Sequence, residues 1–155
     1  MKTLTEKFST TGIKGNDGER FMYTHLLSRY DCVSDYRMNM TVQSIGVDFG
    51  IKHANWSREI TLDVKNNLYI VPEKVGFKVE ITKNNKPGWF MTSKADRIYH
   101  VSSYQRKYIY YELHDLRLYV FQNMSKLDVV KYNEGKDLLI QFYHTSELPV
   151  SQIYL

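Results

Sequence analysis

Two strings set charged residues inside runs that otherwise read as buried strand: Ile45-Gly46-Val47-Asp48-Phe49-Gly50-Ile51 and Glu59-Ile60-Thr61-Leu62-Asp63-Val64-Lys65-Asn66. Successive side chains of a strand point to opposite faces, so Val47, Phe49 and Ile51 share one face and Asp48 takes the other. The second string divides the same way, Ile60, Leu62 and Val64 against Thr61, Asp63 and Lys65. If the two strands are neighbours, two carboxylates and an ammonium converge on one sheet face. Buried ions are costly unless they pair, ligate a metal or reach water, so such a cluster needs a reason.

The 155 residues are expected to form one domain, 1–155, with 43% hydrophobic and 25% charged residues giving an ordinary globular balance. A net charge of +4 and a pI near 9.0 suit a polyanionic partner without requiring one. The lone Cys32 excludes an internal disulfide framework and a Cys-based zinc site, and is expected to fill space in a reducing compartment. The 13 tyrosines serve either to pack a sheet or to flank nucleotides. With no signal-like start and no run approaching ~18 apolar residues, the expectation is a soluble, cytoplasmic protein with no membrane partner.

Residues 1–11 read as a polar periphery, followed by a turn at Gly12, Gly15 and Gly18. The turn is not a phosphate loop, because Gly18 leads into Glu19-Arg20 where Lys-Ser/Thr would be needed. Tyr23, Leu26, Leu27 and Tyr30 recur at helical spacing and predict a helix from Glu19 to Tyr30. Glu19 at its start is either the partner of an Asn16 N-cap or a carboxylate aimed from the first turn at the sheet; the charged cluster favours the second. Residues 33–42 are ambiguous. Strands are expected over 43–53, 58–66, 77–82, 97–101, 107–113 and 137–143, a turn over 84–88, a helix over 115–123, and a tail around Pro149. This order predicts an α/β (α+β) domain around one mixed sheet.

Carboxylates on adjacent strands can share one or two Mg²⁺ ions, with Mn²⁺ a possible substitute. Such a metal activates water and neutralises charge developing on a phosphate. Lys65 would position or deprotonate the attacking water and stabilise the transition state. The backbone carbonyl of Val64 is an additional candidate ligand, and Glu19 would ligate through a water or hold a second ion. Asp-x-Lys alone occurs by chance in many chains and could be a surface salt bridge; the ordered set Glu19, Asp48, Asp63, Lys65 is what gives it weight.

That ordered set resembles the PD-(D/E)XK nuclease superfamily, over about residues 13–123. The family's helix-borne Glu is matched by Glu19, its Asp after a hairpin turn by Asp48, and its acid-x-Lys by Asp63 and Lys65. Gln43-Ser44-Ile45-Gly46-Val47-Asp48 and Lys86-Pro87-Gly88-Trp89-Phe90-Met91-Thr92-Ser93-Lys94-Ala95-Asp96 are similar to small phage and bacterial members. Two departures stand out: no Pro precedes Asp48, and Asp63 replaces the commoner Glu, shortening the ligand by one methylene. The resemblance implies a restriction-endonuclease-like mixed central sheet flanked by helices. It further implies Mg²⁺-dependent cleavage of phosphodiester bonds to a 5′-phosphate, by an endonuclease acting on DNA ahead of RNA. A homodimer is also implied, and a phage-encoded origin with action in the host cell.

Around the motif, Gln43 would face the site or pair in the sheet, and Lys94 and Ser93 would be presented outward to contact a phosphate. Glu80 reads as a solvated strand residue and Trp89 as core. His25, His53, His100, His114 and His144 lack ligand spacing, so no zinc site is expected. Two other classes compete: a catalytically silent nucleic-acid- or protein-binding module that keeps the fold, and a structural α+β phage protein whose cluster is a surface network.

Overall fold

The computed structural model describes residues 4–71, 74–143 and 152–154. In chain order the elements are α1 (Leu4–Leu27), β1 (Cys32–Asp35), α2 (Met40–Gln43), β2 (Phe49–Lys52), β3 (Ile60–Lys65), β4 (Tyr69–Val71), β5 (Lys74–Lys83) and β6 (Lys86–Pro87). Then follow α3 (Trp89–Thr92), β7 (Arg97–Ser102), β8 (Lys107–Glu112), α4 (Leu113–Asn123), β9 (Asp128–Tyr132), β10 (Asp137–Tyr143) and β11 (Gln152–Tyr154).

The strands form two sheets, where the sequence predicted one. The first has the order β1-β2-β3-β7-β8-β11 and is mixed: β3 and β7 are parallel and the other pairs antiparallel. The second is antiparallel, with the order β4-β5-β10-β9 and β6 paired to β5. Strands β4, β5 and β6 and helix α3 all lie in the connection from β3 to β7. That insertion is why a single sheet does not account for the chain.

Alternation within the first sheet feeds two cores. One face carries Phe49, Ile51, Leu62, Val64, Tyr99, Val101 and Tyr108 against Met22 and Leu26 of α1. The other carries Ile98, Ile109 and Tyr111 against Phe77, Val79, Ile140 and Phe142 of the second sheet and Leu116 and Val120 of α4. The α+β class holds, with one sheet sandwiched between a helix and a sheet-plus-helix layer.

Helix α1 differs from expectation. It runs unbroken from Leu4, so Gly12 to Gly18 is helix and not a turn, Asn16 is no N-cap, and Glu19 is not in the first turn. Its buried stripe is Gly18, Met22 and Leu26, while Leu27 is mostly exposed. Gly18 is buried where the helix crosses the end of β3: a Cβ there would lie 2.7 Å from Cβ of Asn66. A mid-helix glycine costs roughly 1 kcal/mol of propensity, and the close approach it permits outweighs that cost. Residues 33–42 resolve into β1 and α2, and 43–47 are helix end and turn where strand was expected. The apolar run Trp89–Thr92, assigned to no element from the sequence, is the short helix α3. Pro149 lies outside the described residues.

Candidate active site

Strands β2 and β3 pair from Ile51 with Ile60 to Phe49 with Leu62 and then separate. The last contacts are made by Asp48. Its N–H donates to the Leu62 carbonyl at 2.8 Å, and its Oδ2 accepts the Val64 N–H at 2.7 Å, replacing a backbone rung with a side chain. A residue's N–H and C=O leave an antiparallel edge on the same side, so the Val64 carbonyl faces the notch that Asp48 borders. Gln43 reaches the notch from α2: its Nε2 donates to the Val47 carbonyl and to Asp48 Oδ1, both at 2.9 Å. It therefore faces the site, though from a helix and not a strand.

The turn that aims Asp48 passes through Gly46 at φ +73°, a conformation side chains rarely adopt. Ser93 Oγ donates to the Gly46 carbonyl at 3.0 Å and the Lys94 N–H to the Ile45 carbonyl at 2.8 Å. The two long strings that carried the family resemblance thus bind each other. Arg117 of α4 secures the second one by donating to the carbonyls of Phe90 and Ser93, each at 2.8 Å.

Asp63 is only 1% exposed and Asp48 only 7%. Burial pushes the Asp63 carboxyl up to about 6, with Lys65 opposing and the Asp48 charge adding to the rise. Lys65 Nζ pairs with Asp63 Oδ1 at 2.7 Å and lies 5.4 Å from the Trp89 ring centroid, its side chain 26% exposed. Asp63 Oδ2 is buried and has no hydrogen-bond partner, because the neighbouring Ser93 hydroxyl gives its proton to Gly46. Glu19, half-buried on α1, is raised first by desolvation and next by the Asp48 charge, with Arg37 and Lys65 acting the other way. Asp48 and Lys65 therefore act on both Glu19 and Asp63 at one end of β3.

Arg37 is a site residue that the sequence reading missed. It grips Asp35 with two hydrogen bonds, at 2.9 and 2.7 Å, and its guanidinium lies about 5 Å from the rings of Tyr23 and Phe49. Asp35 chiefly raises it, with Glu19 contributing. An Asp-x-Arg in a polar stretch gives no signal of this; only the pairing of β1 with β2 brings it in. The buried His100, held at 2.7 Å to Asn67 Oδ1, is a second unforeseen neighbour. Desolvation pushes it down to about 3, with Lys65 contributing, so its ring is neutral.

Other expectations change. Ser93 is buried and serves the Gly46 turn, so it is not presented outward, whereas Lys94 is exposed. Trp89 is half-buried, packing on the core with one face toward Lys65. Glu80 stands 4.0 Å from Lys83 in the second sheet. Cys32 is exposed on edge strand β1 and fills no space.

Among the described residues no three His, Cys, Asp or Glu side chains are grouped to hold a metal ion, and no helix is long and apolar enough to cross a membrane. The oxygen-rich donor set and the orphaned Asp63 Oδ2 nonetheless fit a hard divalent cation, which would relieve the like-charge strain among Glu19, Asp48 and Asp63. No family model, curated protein or solved structure matches this chain.

Proposed function

We propose that this chain is a metal-dependent nuclease of the restriction-endonuclease-like fold, an endonuclease hydrolysing phosphodiester bonds of DNA in preference to RNA. The observation that carries the reading is the convergence of Glu19, Asp48, Asp63 and Lys65 on one notch, with a buried carboxylate oxygen lacking a partner. The mixed first sheet, with a carboxylate from the helix on one face and acid-x-Lys on its third strand, agrees with the family resemblance.

Mg²⁺, or Mn²⁺ in its place, would be held by Asp48, Asp63, the Val64 carbonyl and Glu19, and would polarise the scissile phosphate and acidify water. The protein's own parts divide the remaining work. Val64 N–H and Gln43 fix the Asp48 carboxylate, so it keeps one orientation. Lys65, two residues from Asp63 and against Trp89, supplies a partly exposed ammonium to orient the attacking water and balance charge on the phosphate. Water would attack phosphorus and lose a proton as the bond to the 3′ oxygen breaks; that oxygen takes up a proton and leaves as a 3′-hydroxyl, and a 5′-phosphate remains. The same resemblance suggests a homodimer acting in the cytoplasm.

A second reading, a silent nucleic-acid- or protein-binding module, draws on the closure of Lys65 onto Asp63 and the lack, among the described residues, of a ready three-carboxylate group. Cleavage assays decide between them, using labelled single-stranded, double-stranded and branched DNA and RNA with Mg²⁺, Mn²⁺ or EDTA. Metal-dependent cutting by the wild type that is lost in Asp63→Ala and Lys65→Ala is expected. No cutting, together with no Mg²⁺ or Mn²⁺ binding by calorimetry, would give the silent module the field.

A further inference from the structure

Beside the notch runs an open groove of about 820 Å³ that the chemistry above does not use. One wall is α1, with Arg20 and Thr24 exposed and Phe21 half-buried; the other is the turn between β7 and β8, with Tyr104 and Arg106. Tyr104 is 96% exposed, an isolated ring at the lip with nothing packed on it to explain an aromatic there. Arg20 and Arg106 form no ion pair among the described residues. The one carboxylate that lines the groove, Asp17, stands one helical turn before Arg20.

The groove is tied to the notch through Asn66, the residue after Lys65. Asn66 Nδ2 donates to Ser103 Oγ at 3.0 Å and its Oδ1 accepts the Ser103 N–H at 3.1 Å, fixing the 103–106 turn to the end of β3. Gly18 brings α1 against the same Asn66. Glu19 of the notch and Arg20 of the groove are adjacent on that helix.

We infer that this groove holds a single-stranded stretch of nucleic acid leading to or from the notch, its phosphates on Arg20 and Arg106 and a base stacked on Tyr104. Cations with a solvent-facing aromatic ring are the combination that tracks an unpaired strand, because every base offers a π face. The stripe from Arg20 to Ser28 spans roughly 12 Å at 1.5 Å per residue. This inference deepens the nuclease reading and rests on it for the direction of the strand, but its test is separate.

The test is fluorescence anisotropy of labelled oligo-dT and of a blunt duplex in EDTA, across a salt series. Wild type is expected to favour the single strand. Tyr104→Ala should weaken that binding by about 5- to 100-fold. Arg20→Glu with Arg106→Glu should weaken it at least as much, and Arg20→Ala with Arg106→Ala should reduce the log–log salt slope by about 1.4. Lys131→Glu with Lys136→Glu, the same charge change on exposed residues of β9 and of the turn that follows it, should leave binding near the wild-type value. Equal weakening by that control, no change in the groove variants, or no single-strand binding by wild type would overturn the groove. Binding through the groove with no cleavage of any substrate leaves the groove standing and removes the nuclease, whereas cleavage untouched by the groove variants does the reverse.

Discussion

Asp63 carries the largest electrostatic stress in the notch, and its consequence is a pH-dependent stability. Its carboxyl titrates near 6 in the fold against an ordinary 3.8, so the folded state favours the protonated form. Its contribution is fully present below about pH 3.8 and is lost as pH rises through 6, a change on the order of 1–3 kcal/mol. Thermal melts in EDTA at pH 4.5 and 7.5 should show a smaller loss of stability in Asp63→Asn than in wild type, the raised Glu19 still contributing to both. At pH 7.5, Mg²⁺ should raise the wild-type midpoint and leave that of Asp63→Asn nearly unmoved, because a ligand stabilises only the state that binds it. Asp48, Asp63 and Lys65 were legible in the sequence because strand alternation makes an ion among apolar neighbours conspicuous, whereas Glu19, on a helix, was picked out only by the company of that cluster and by the resemblance. Arg37 and His100 were not, since their place depends on pairings of β1 with β2 and of β3 with β7 that no local pattern encodes.

At the scale of elements, the site depends on two close approaches. Gly18→Val should push α1 from Asn66 and destabilise by about 1–3 kcal/mol, read as a shift in urea midpoint. Gly46→Ala should cost about 1 kcal/mol for its left-handed backbone, with a further cost from Ser93, whose Oγ would lie 3.0 Å from the new Cβ. The second change should lower any activity more than its stability cost implies, because that turn aims Asp48. Strands β3, β5, β7, β8 and β10 were legible to within a few residues, whereas β4, β6 and β9 were not. The start of α1 was not: three spaced glycines imitate a turn, and only the tertiary contact at Gly18 explains one inside a helix.

For the whole molecule, the first sheet belongs to both cores and should join them into one cooperative unit. The two tryptophans divide between them, Trp56 packed on the α1 side and Trp89 on the side of the second sheet. Single-tryptophan variants Trp56→Phe and Trp89→Phe should therefore give denaturation curves of the same shape, each referenced to far-UV circular dichroism of the same variant. Two separated transitions would mean that the layers unfold apart. The second sheet was invisible to a linear reading because β5 finds its partner far along the chain, Phe77 opposite Phe142. That separation also imposes a chronology on synthesis. The strands and helix around the notch have all emerged by Ser102, while β5 must wait for its pairing partner, and for Ile140 and Phe142 to complete the cover of Phe77 and Val79, until β10 leaves the ribosome. The residues of the notch thus leave the ribosome before the second sheet is complete, and the nascent chain passes through an interval in which an apolar strand is open to wrong partners.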